Sequence, residues 1–473
     1  MAARPWGFKS PLPHQFLLMS AARPVLLFVN PWITDFTAYD FWLKPLGLLE
    51  IAAVVREAVE AEIRLVDCLD RTHPSLPKPG RFKPDGRGHF WKEEIPKPEI
   101  LRDVPRKYSR YGIPPAAFVA DLERMPTPDA VLVTGTMTYW YPGIQEAVEI
   151  VRRKWGRVPV ILGGIYATLC GDHARRHSGA DVVVAGPGEN AVLRVLADIL
   201  GPARVRPASY ASIRDRPRPA FDLLQNHAWL PVLTSRGCPF RCAFCASSAL
   251  FSGFERRDPL DAADEVEENF RRFATRNFTF YDDALLLDRS AHIVPFLEAV
   301  VRKELPVAFH TPNGLHLREI DDGLAALFRK AGVKSVYLSQ ESTDPAVLRE
   351  SCPKVEPGDL ERAADCLERA GYDRRELNVY LIAGLPNQSA TSIREDILYV
   401  RRLGLRPHLA FFSPIPGTPL WNDLVRGGKL AAGADPLLHN KLAFPYLCGD
   451  IDPDAWEKLR DGSTNSRFSA PRE

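Results

Sequence analysis

Two long stretches of this chain repeat one unit: a short apolar run, then a segment with apolar residues at helical spacing. Within residues 24–200 the runs are VLLFVN (25–30), IRLVDC (63–68), AVLVTG (130–135), VPVILGG (158–164) and ADVVVAG (180–186). Between them, LGLLEIAAVVREAVEA and GIQEAVEIVRRKW carry the helical pattern. An uninterrupted apolar run suits a strand covered on both faces, and a strand that returns through a helix pairs in parallel. The pattern therefore predicts an α/β domain over residues 22–201 with a doubly wound parallel sheet. Ligands of such sheets bind at the carboxyl ends of the strands.

The second series occupies residues 230–421. Its strands are expected near PVLTS (231–235), NFTFYDD (277–283), PVAFHTP (306–312), KSVYLSQES (334–342), NVYLIAGLP (378–386) and LAFFSPIPG (409–417). Asp258 followed by Pro259 marks a helix start, and Ala262, Val266, Phe270 and Phe273 fall on one face of that helix. Gly332 and Gly371 are placed to end two others. Six such units close most of a barrel of the TIM type, a partial (βα)6 barrel, with functional groups at the C-terminal strand ends.

Other segments break the rhythm. Residues 69–128 hold many prolines and the stretch RDVPRKYSRYGIPP, and are expected to form a long loop or lid inside the first domain. Arg102, Arg106, Lys107 and Arg110 in that stretch offer a clamp for a substrate phosphate or carboxylate; a solvated loop is the commoner role for such a run. Residues 202–229, rich in Arg and Pro, read as a linker. Residues 422–473 form a C-terminal extension without a recognised motif, and its tail from residue 461 is expected to be disordered.

The chain has 473 residues, enough for two or three domains, and a net charge of +2 gives no reason to expect nucleic acid as a partner. No stretch approaches the roughly 20 apolar residues of a membrane span, and the first 22 residues are too proline-broken for a signal peptide. A cytoplasmic location is expected.

Three of the eight cysteines lie within eight residues, in RGCPFRCAFC, as Cys238, Cys242 and Cys245. The loop that carries them follows the first barrel strand directly, where a catalytic loop belongs. Structural zinc takes four ligands, commonly as paired C-x2-C units. Here the spacing is C-x3-C-x2-C, Cys352, Cys366 and Cys448 stand alone, and no ligand spacing recommends His292, His310 or His316. Thiolates also hold iron–sulfur clusters, and three of them leave one iron of a four-iron cluster open to an exchangeable ligand.

The spacing closely resembles that of the radical S-adenosylmethionine (SAM) superfamily. The resemblance implies a [4Fe–4S] cluster on Cys238, Cys242 and Cys245, with SAM on the open iron and an external electron donor such as flavodoxin or ferredoxin. It covers roughly residues 231–421. Phe244 matches the aromatic position near the SAM adenine. Asp282 and Asp283 in FYDDALL match groups presented to the SAM amino end, although a solvated turn would look the same. Glu341 and Ser342 in YLSQESTDPAVL match the residues near the ribose and methionine portions. Gly384 in LIAGLPNQS matches the backbone beside the adenine, although Gly-Leu-Pro also ends many strands. SPIPGTPLW resembles the segment after the sixth strand. His310 and Asn313 in HTPNGLH close the third strand and are either contacts to SAM or substrate or, for the histidine, a hydrogen-bonded core residue.

The first domain resembles the flavodoxin-like cobalamin-binding domain of one branch of that superfamily. Thr134, Gly135, Thr136 and Thr138 in VTGTMTYWYPG match the segment that lines the cofactor's nucleotide tail. Gly163, Gly164 and Thr168 in LGGIYATLCGDHA, and Gly186, Gly188 and Glu189 in AGPGEN, match the next two strand-end turns. Ordinary turn chemistry in any such sheet is the alternative. The resemblance departs at one point. Domains that give cobalt a histidine carry D-x-H-x-x-G after the first strand, and here that loop reads NPWITDFTAYDFW. Trp32, Asp35 and Trp42 lie in the loop, and the sequence does not choose a lower axial ligand among them, water or none.

Together these features imply a cobalamin-dependent radical SAM enzyme, read as a C-methyltransferase at an unactivated carbon that uses a 5′-deoxyadenosyl radical and methylcobalamin. A cyclase or rearrangement enzyme with the same cofactors is the first alternative, and a cobalamin and iron–sulfur sensor the second. The substrate, whether small molecule, lipid or peptide, is not written in the sequence.

Overall fold

The structure is a computed structural model that describes residues 23–447, apart from 79, 353 and 387, and residues 451–464. Residues 1–22, residues 448–450 with Cys448, and residues 465–473 lie outside the described residues.

In the first half the strands are β1 (Val25–Asn30), β2 (Ile33–Asp35), β3 (Glu62–Asp67), β4 (Lys92–Glu94), β5 (Ser109–Tyr111), β6 (Ala130–Gly135), β7 (Val160–Gly164) and β8 (Val182–Val183). A parallel sheet runs in the order β3-β1-β6-β7-β8, the doubly wound topology expected. Its inner strands β1, β6 and β7 are largely apolar because both faces are covered, whereas the edge strand β3 carries Glu62, Arg64 and Asp67. Leu26 and Phe28 pack with the helices Leu46–Ala58 and Glu189–Leu200, whereas Leu27 and Val29 pack with the helix Tyr141–Trp155. β8 keeps only two of the seven residues in its apolar run, as befits an edge strand with one neighbour.

Residues 69–128 are more ordered than a long loop. They contribute β4, β5 and the helix Pro115–Glu123, and β2-β5-β4 make a small antiparallel sheet. The preceding residues 81–90 meet the N-terminal ends of the barrel strands: Asn277 Nδ2 donates to Pro84 O at 3.1 Å, and Gly86 lies against Trp229. The Arg87 guanidinium sits over the rings of Phe41 and Trp42 and reaches the Tyr337 hydroxyl at 3.3 Å. This stretch closes the end of the barrel opposite the cysteine loop, so it is no lid over that loop.

The second half contains β9 (Leu230–Val232), a hairpin of β10 (Ser235–Arg236) and β11 (Glu255–Arg256), then β12 (Asn277–Phe280), β13 (Ala308–Leu315), β14 (Val333–Glu341), β15 (Asn378–Ala383) and β16 (Arg406–Phe411). The parallel order β16-β15-β14-β13-β12-β9 leaves the two edge strands unpaired with each other, a partial barrel. Phe278, Phe280, Phe296 and Phe309 fill its wall. Asp258 accepts from the backbone of Leu260 and Asp261 and starts the helix Pro259–Phe273 as its sequence predicts.

Residues 202–229 are packed rather than extended: Phe221, Leu224 and Trp229 are buried, and Arg216 and Arg218 pair with Glu189 and Asp261. At the C-terminus the helix Pro453–Thr464 runs past residue 461, contrary to the expected disorder there, because Trp456 and Leu459 anchor it in the core. Among the described residues no helix is long and apolar enough to cross a membrane.

Candidate functional site

The cysteine loop leaves the C-terminal end of β9 and turns at Gly237, whose φ of +83° and 2.0 Å clearance from a built Cβ to Gly253 O exclude a side chain. The loop is stitched to two other elements. Ala243 N donates to Ser351 O at 2.9 Å, and Ala243 O accepts from Leu420 N at 3.1 Å. Cys238 and Cys245 are half-buried and Cys242 is buried. Burial raises the Cys238 thiol and pushes Cys245 up to about 11, whereas the hydrogen bond shared with Cys352 lowers Cys242.

Among the described residues no three His, Cys, Asp or Glu side chains converge as one metal ion would require. Zinc at 2.3 Å from each sulfur would draw the sulfurs to within about 4 Å of one another. His292 is bonded to Thr234 and His310 to Ser335 and Asn277; His316 stacks on Phe240 with both ring nitrogens unpartnered among the described residues, yet it too forms no converging set with the cysteines. Three thiols spread over one loop suit a cluster, which takes each sulfur on a different iron. The donor set fits that group.

Both aspartates of FYDDALL face this loop. Asp282 is buried and accepts from Thr234 N, Thr234 Oγ1 at 2.7 Å and Ser235 Oγ at 2.6 Å. Asp283 accepts from Ser247 Oγ at 2.8 Å, and burial raises its pKa. These contacts fix the entry and exit of the loop.

Glu341 ends β14 with φ of +65°, a strained value for a residue with a side chain, and its Oε1 lies 3.6 Å from Lys354 Nζ. Burial works to lower the Lys354 pKa, but Glu341, Cys352, Cys242 and Cys238 together raise it. The ammonium therefore stands beside the cysteine loop. Ser342 instead donates to Asp396 Oδ2 at 3.0 Å and is fully buried. Phe244 packs against the cluster of Ile382, Leu385 and Trp421, next to Gly384. A built Cβ at Gly384 would stand 3.0 Å from the Trp456 ring. His310 is a core residue stacked on Trp42, and burial lowers it to about 4. Asn313 donates to the backbone of Tyr281 and Asp282.

At the carboxyl edge of the first sheet, Thr134 pairs with Gly163 and Gly135 with Gly164. Thr168 Oγ1 donates to Gly164 O at 2.9 Å and accepts from Gly186 N at 3.0 Å, which ties two turns together. A Cβ built at Gly163 or Gly186 meets nothing within 4 Å, so both face open space at this edge. Thr134, Gly135 and Thr136 line a small cavity with Asn30, Trp32 and Trp140. Open glycine turns and hydroxyls at the edge where this sheet type binds ligands fit a large cofactor. Gly188 packs on Ile51. Glu189 does not face that edge: it pairs with Arg216 at 2.6 Å and Arg236 at 3.4 Å, joining the residue 202–229 segment to β10.

None of the three side chains proposed for cobalt from the first loop is free. Trp32 donates to Ile113 O, Trp42 to Asp85 O, and Asp35 accepts from Trp140 and Asn440. The basic residues after position 100 make no clamp either. Arg102 pairs with Glu99, Arg106 with Glu457, Lys107 with Glu94, and Arg110 with Glu93 and Glu146.

Sequence reasoning missed four residues here: Cys352, Lys354, His439 and Trp456. Residues 435–440 enter the junction of the two domains. Asp435 accepts from Tyr141, His439 Nδ1 lies 3.0 Å from Thr138 Oγ1, Asn440 donates to Asp35, and the His439 carbonyl accepts from Ser413 beyond β16.

The family model of the radical SAM superfamily matches residues 232–400, and that of the B12 binding domain matches residues 106–196. The chain is 24% identical over 333 residues to an uncharacterised methyltransferase of Pyrococcus horikoshii, covering 64% of this chain and 71% of that protein. It is also 24% identical over 335 residues to the anaerobic magnesium-protoporphyrin IX monomethyl ester cyclase of Rubrivivax gelatinosus, covering 63% of this chain and only 58% of the cyclase. In fold it is similar to the radical SAM methyltransferase TsrM of Kitasatospora setae, with a TM-score of 0.62 and 16% identity over 85% of this chain and 76% of that one. The matched domains imply a [4Fe–4S] cluster, SAM and cobalamin as cofactors. The chain belongs to the radical SAM superfamily, in the branch whose radical SAM domain follows a B12-binding domain.

Proposed function

We propose that the chain is a cobalamin-dependent radical SAM C-methyltransferase acting on an unactivated carbon. One observation carries the reading. The segment 435–440 bonds to Thr138 at the carboxyl edge of the B12-binding sheet and to Ser413 just beyond β16, so both C-terminal strand edges meet at one junction. A methyl donor and a hydrogen-abstracting radical have to reach the same substrate carbon, and a shared junction supplies that proximity. When bound, the cluster with SAM supplies the radical and cobalamin supplies the methyl group.

The chain's residues divide the remaining work. Cys238, Cys242 and Cys245 bind the cluster, while Asp282 and Asp283 hold their loop in shape. Phe244, Gly384 and Glu341 flank SAM, with Lys354 orienting Glu341. Thr134, Gly135, Thr136, Thr138, Gly163, Gly164, Thr168, Gly186 and Gly188 form the cobalamin edge. Ser342 acts through Asp396, positioning the turn after β14. The electron comes from an external donor of the flavodoxin or ferredoxin kind, and the reducing chemistry sets the enzyme in the cytoplasm.

The likeness to a cyclase keeps a second reading, ring formation without methyl transfer. The test needs no substrate. The reconstituted protein is reduced with SAM carrying a deuterated methyl group, and the extracted cobalamin is weighed by mass spectrometry. Methyl transfer predicts labelled cobalamin and an equal amount of S-adenosylhomocysteine. Unlabelled cobalamin with 5′-deoxyadenosine as the sole SAM product means the cyclase reading.

A further inference from the structure

Lys441 is half-buried and, among the described residues, forms neither a hydrogen bond nor an ion pair. The other described lysines withdrawn from solvent are all engaged: Lys44 and Lys97 donate to Asn226 O and Val104 O, and Lys303 and Lys354 pair with carboxylates. An ammonium taken partly out of water without a counter-charge costs stability, and it persists where an anion from outside the protein completes it. Lys441 follows Asn440, which donates to Asp35, so it stands at the junction of the two domains. Its charge acts on both sides of that junction, on Asp35 of the first domain and on His408 of β16.

The lumen of the partial barrel lies beside it. On β15 and β16, Val379, Leu381, Leu409 and Phe411 pack into the core under the helices, so Tyr380, His408 and Ala410 face the lumen. His408 stacks on Phe41 at 6.1 Å and meets the rings of Tyr380 and Tyr337 edge to face at 5.2 and 5.8 Å. Tyr380 stacks on Tyr337 at 5.1 Å, and its hydroxyl donates to Pro312 O. Burial, then the Lys441 and Arg87 charges, hold the His408 imidazole below its usual value, which leaves the ring uncharged at neutral pH. These rings make an apolar floor. Ser339 and Ala410 next to it are small, His408 is exposed and Tyr380 is half-buried, so the floor is open. An apolar surface with one convergent charge is the usual make-up of a small-molecule site, and a single ammonium balances a carboxylate.

We propose that the substrate carries a carboxylate, held by Lys441, and a flat apolar ring, seated on His408 and Tyr380. The inference rests on the reading above, in which the substrate meets both cofactors at the domain junction. It fixes the orientation of the substrate, with the ring in the barrel lumen and the carboxylate at the junction.

The probe is 2-naphthoate, and 2-naphthalenemethanol is its uncharged counterpart. Equilibrium dialysis against the full chain, loaded with cluster and cobalamin, measures both without turnover. Naphthoate is expected to bind about tenfold more tightly than the alcohol. K441M should lose that preference by weakening naphthoate alone, whereas K441R should keep it. H408A should weaken both probes, because the floor serves both. Equal affinity of the two probes, naphthoate affinity unchanged in K441M, or no naphthoate binding at millimolar concentration overturns the proposal. Loss of cobalamin uptake in K441M also overturns it, by assigning the ammonium to the phosphate of the cofactor. The methyl-transfer reading fails separately. A wild type that prefers naphthoate through Lys441 but leaves its cobalamin unlabelled in the deuterium assay keeps this site and loses that reading.

Discussion

Cys242 Sγ and Cys352 Sγ lie 3.7 Å apart, both buried, one on the cluster loop and the other beyond the helix Pro345–Ser351. The pair gives Cys242 a competing partner whenever the cluster is absent. In cluster-free protein, hydrogen peroxide is expected to oxidise the two thiols to a disulfide, their two electrons and two protons reducing peroxide to water. Peptide mass mapping should find a 242–352 crosslink. Cys352→Ser should lack it and regain more iron on reconstitution after oxidation.

Cys242→Ala should abolish the cluster absorbance and SAM cleavage yet leave cobalamin bound. Visible spectra of the anaerobic variant check both halves. Loss of cobalamin together with the cluster would mean that the two cofactor sites are not separable.

Asp282 accepts three hydrogen bonds from Thr234 and Ser235 in a buried site. Asp282→Ala strands those donors and should cost about 3 kcal/mol of stability. Urea unfolding measures the loss, and iron per chain should fall with it because the cysteine loop is released.

Gly163 faces open space, and its backbone does not need a glycine. Gly163→Val should therefore change stability by no more than about 0.5 kcal/mol while weakening cobalamin binding at least tenfold. Equilibrium titration beside a thermal melt separates the two effects.

Burial, with the Glu189 charge beside it, raises the Glu50 carboxyl from 4.5 to about 7. The folded protein thus keeps a proton that the unfolded chain releases between those values. The contribution is fully present below about pH 4.5 and is lost as pH rises towards 7, at no more than about 1.4 kcal/mol per pH unit. Thermal melts across that range should show the decline, and Glu50→Gln should flatten it.

Periodicity in the sequence was enough for the two sheets, because fully buried parallel strands leave uninterrupted apolar runs such as VLLFVN and AVLVTG. The cysteine loop was equally legible, since its three ligands are local in sequence. What pairs across long separations was not. Cys352 reads as an isolated cysteine until the fold places it on Cys242, 110 residues away. His439 meets Thr138 across 301 residues, with no spacing to announce it. Glu189 and Ser342 follow motif positions, yet their side chains are engaged by Arg216 and Asp396, contacts that only tertiary packing sets. Residues 69–128 misled because prolines mark loops, whereas here they border a short sheet and a helix started by Pro115.

The most direct test of the account is an anaerobic cobalamin titration of the iron-loaded protein, followed by its visible spectrum. The account predicts saturation at one equivalent with the cluster absorbance unchanged. A protein that carries its cluster and cleaves SAM but takes up no cobalamin would contradict it.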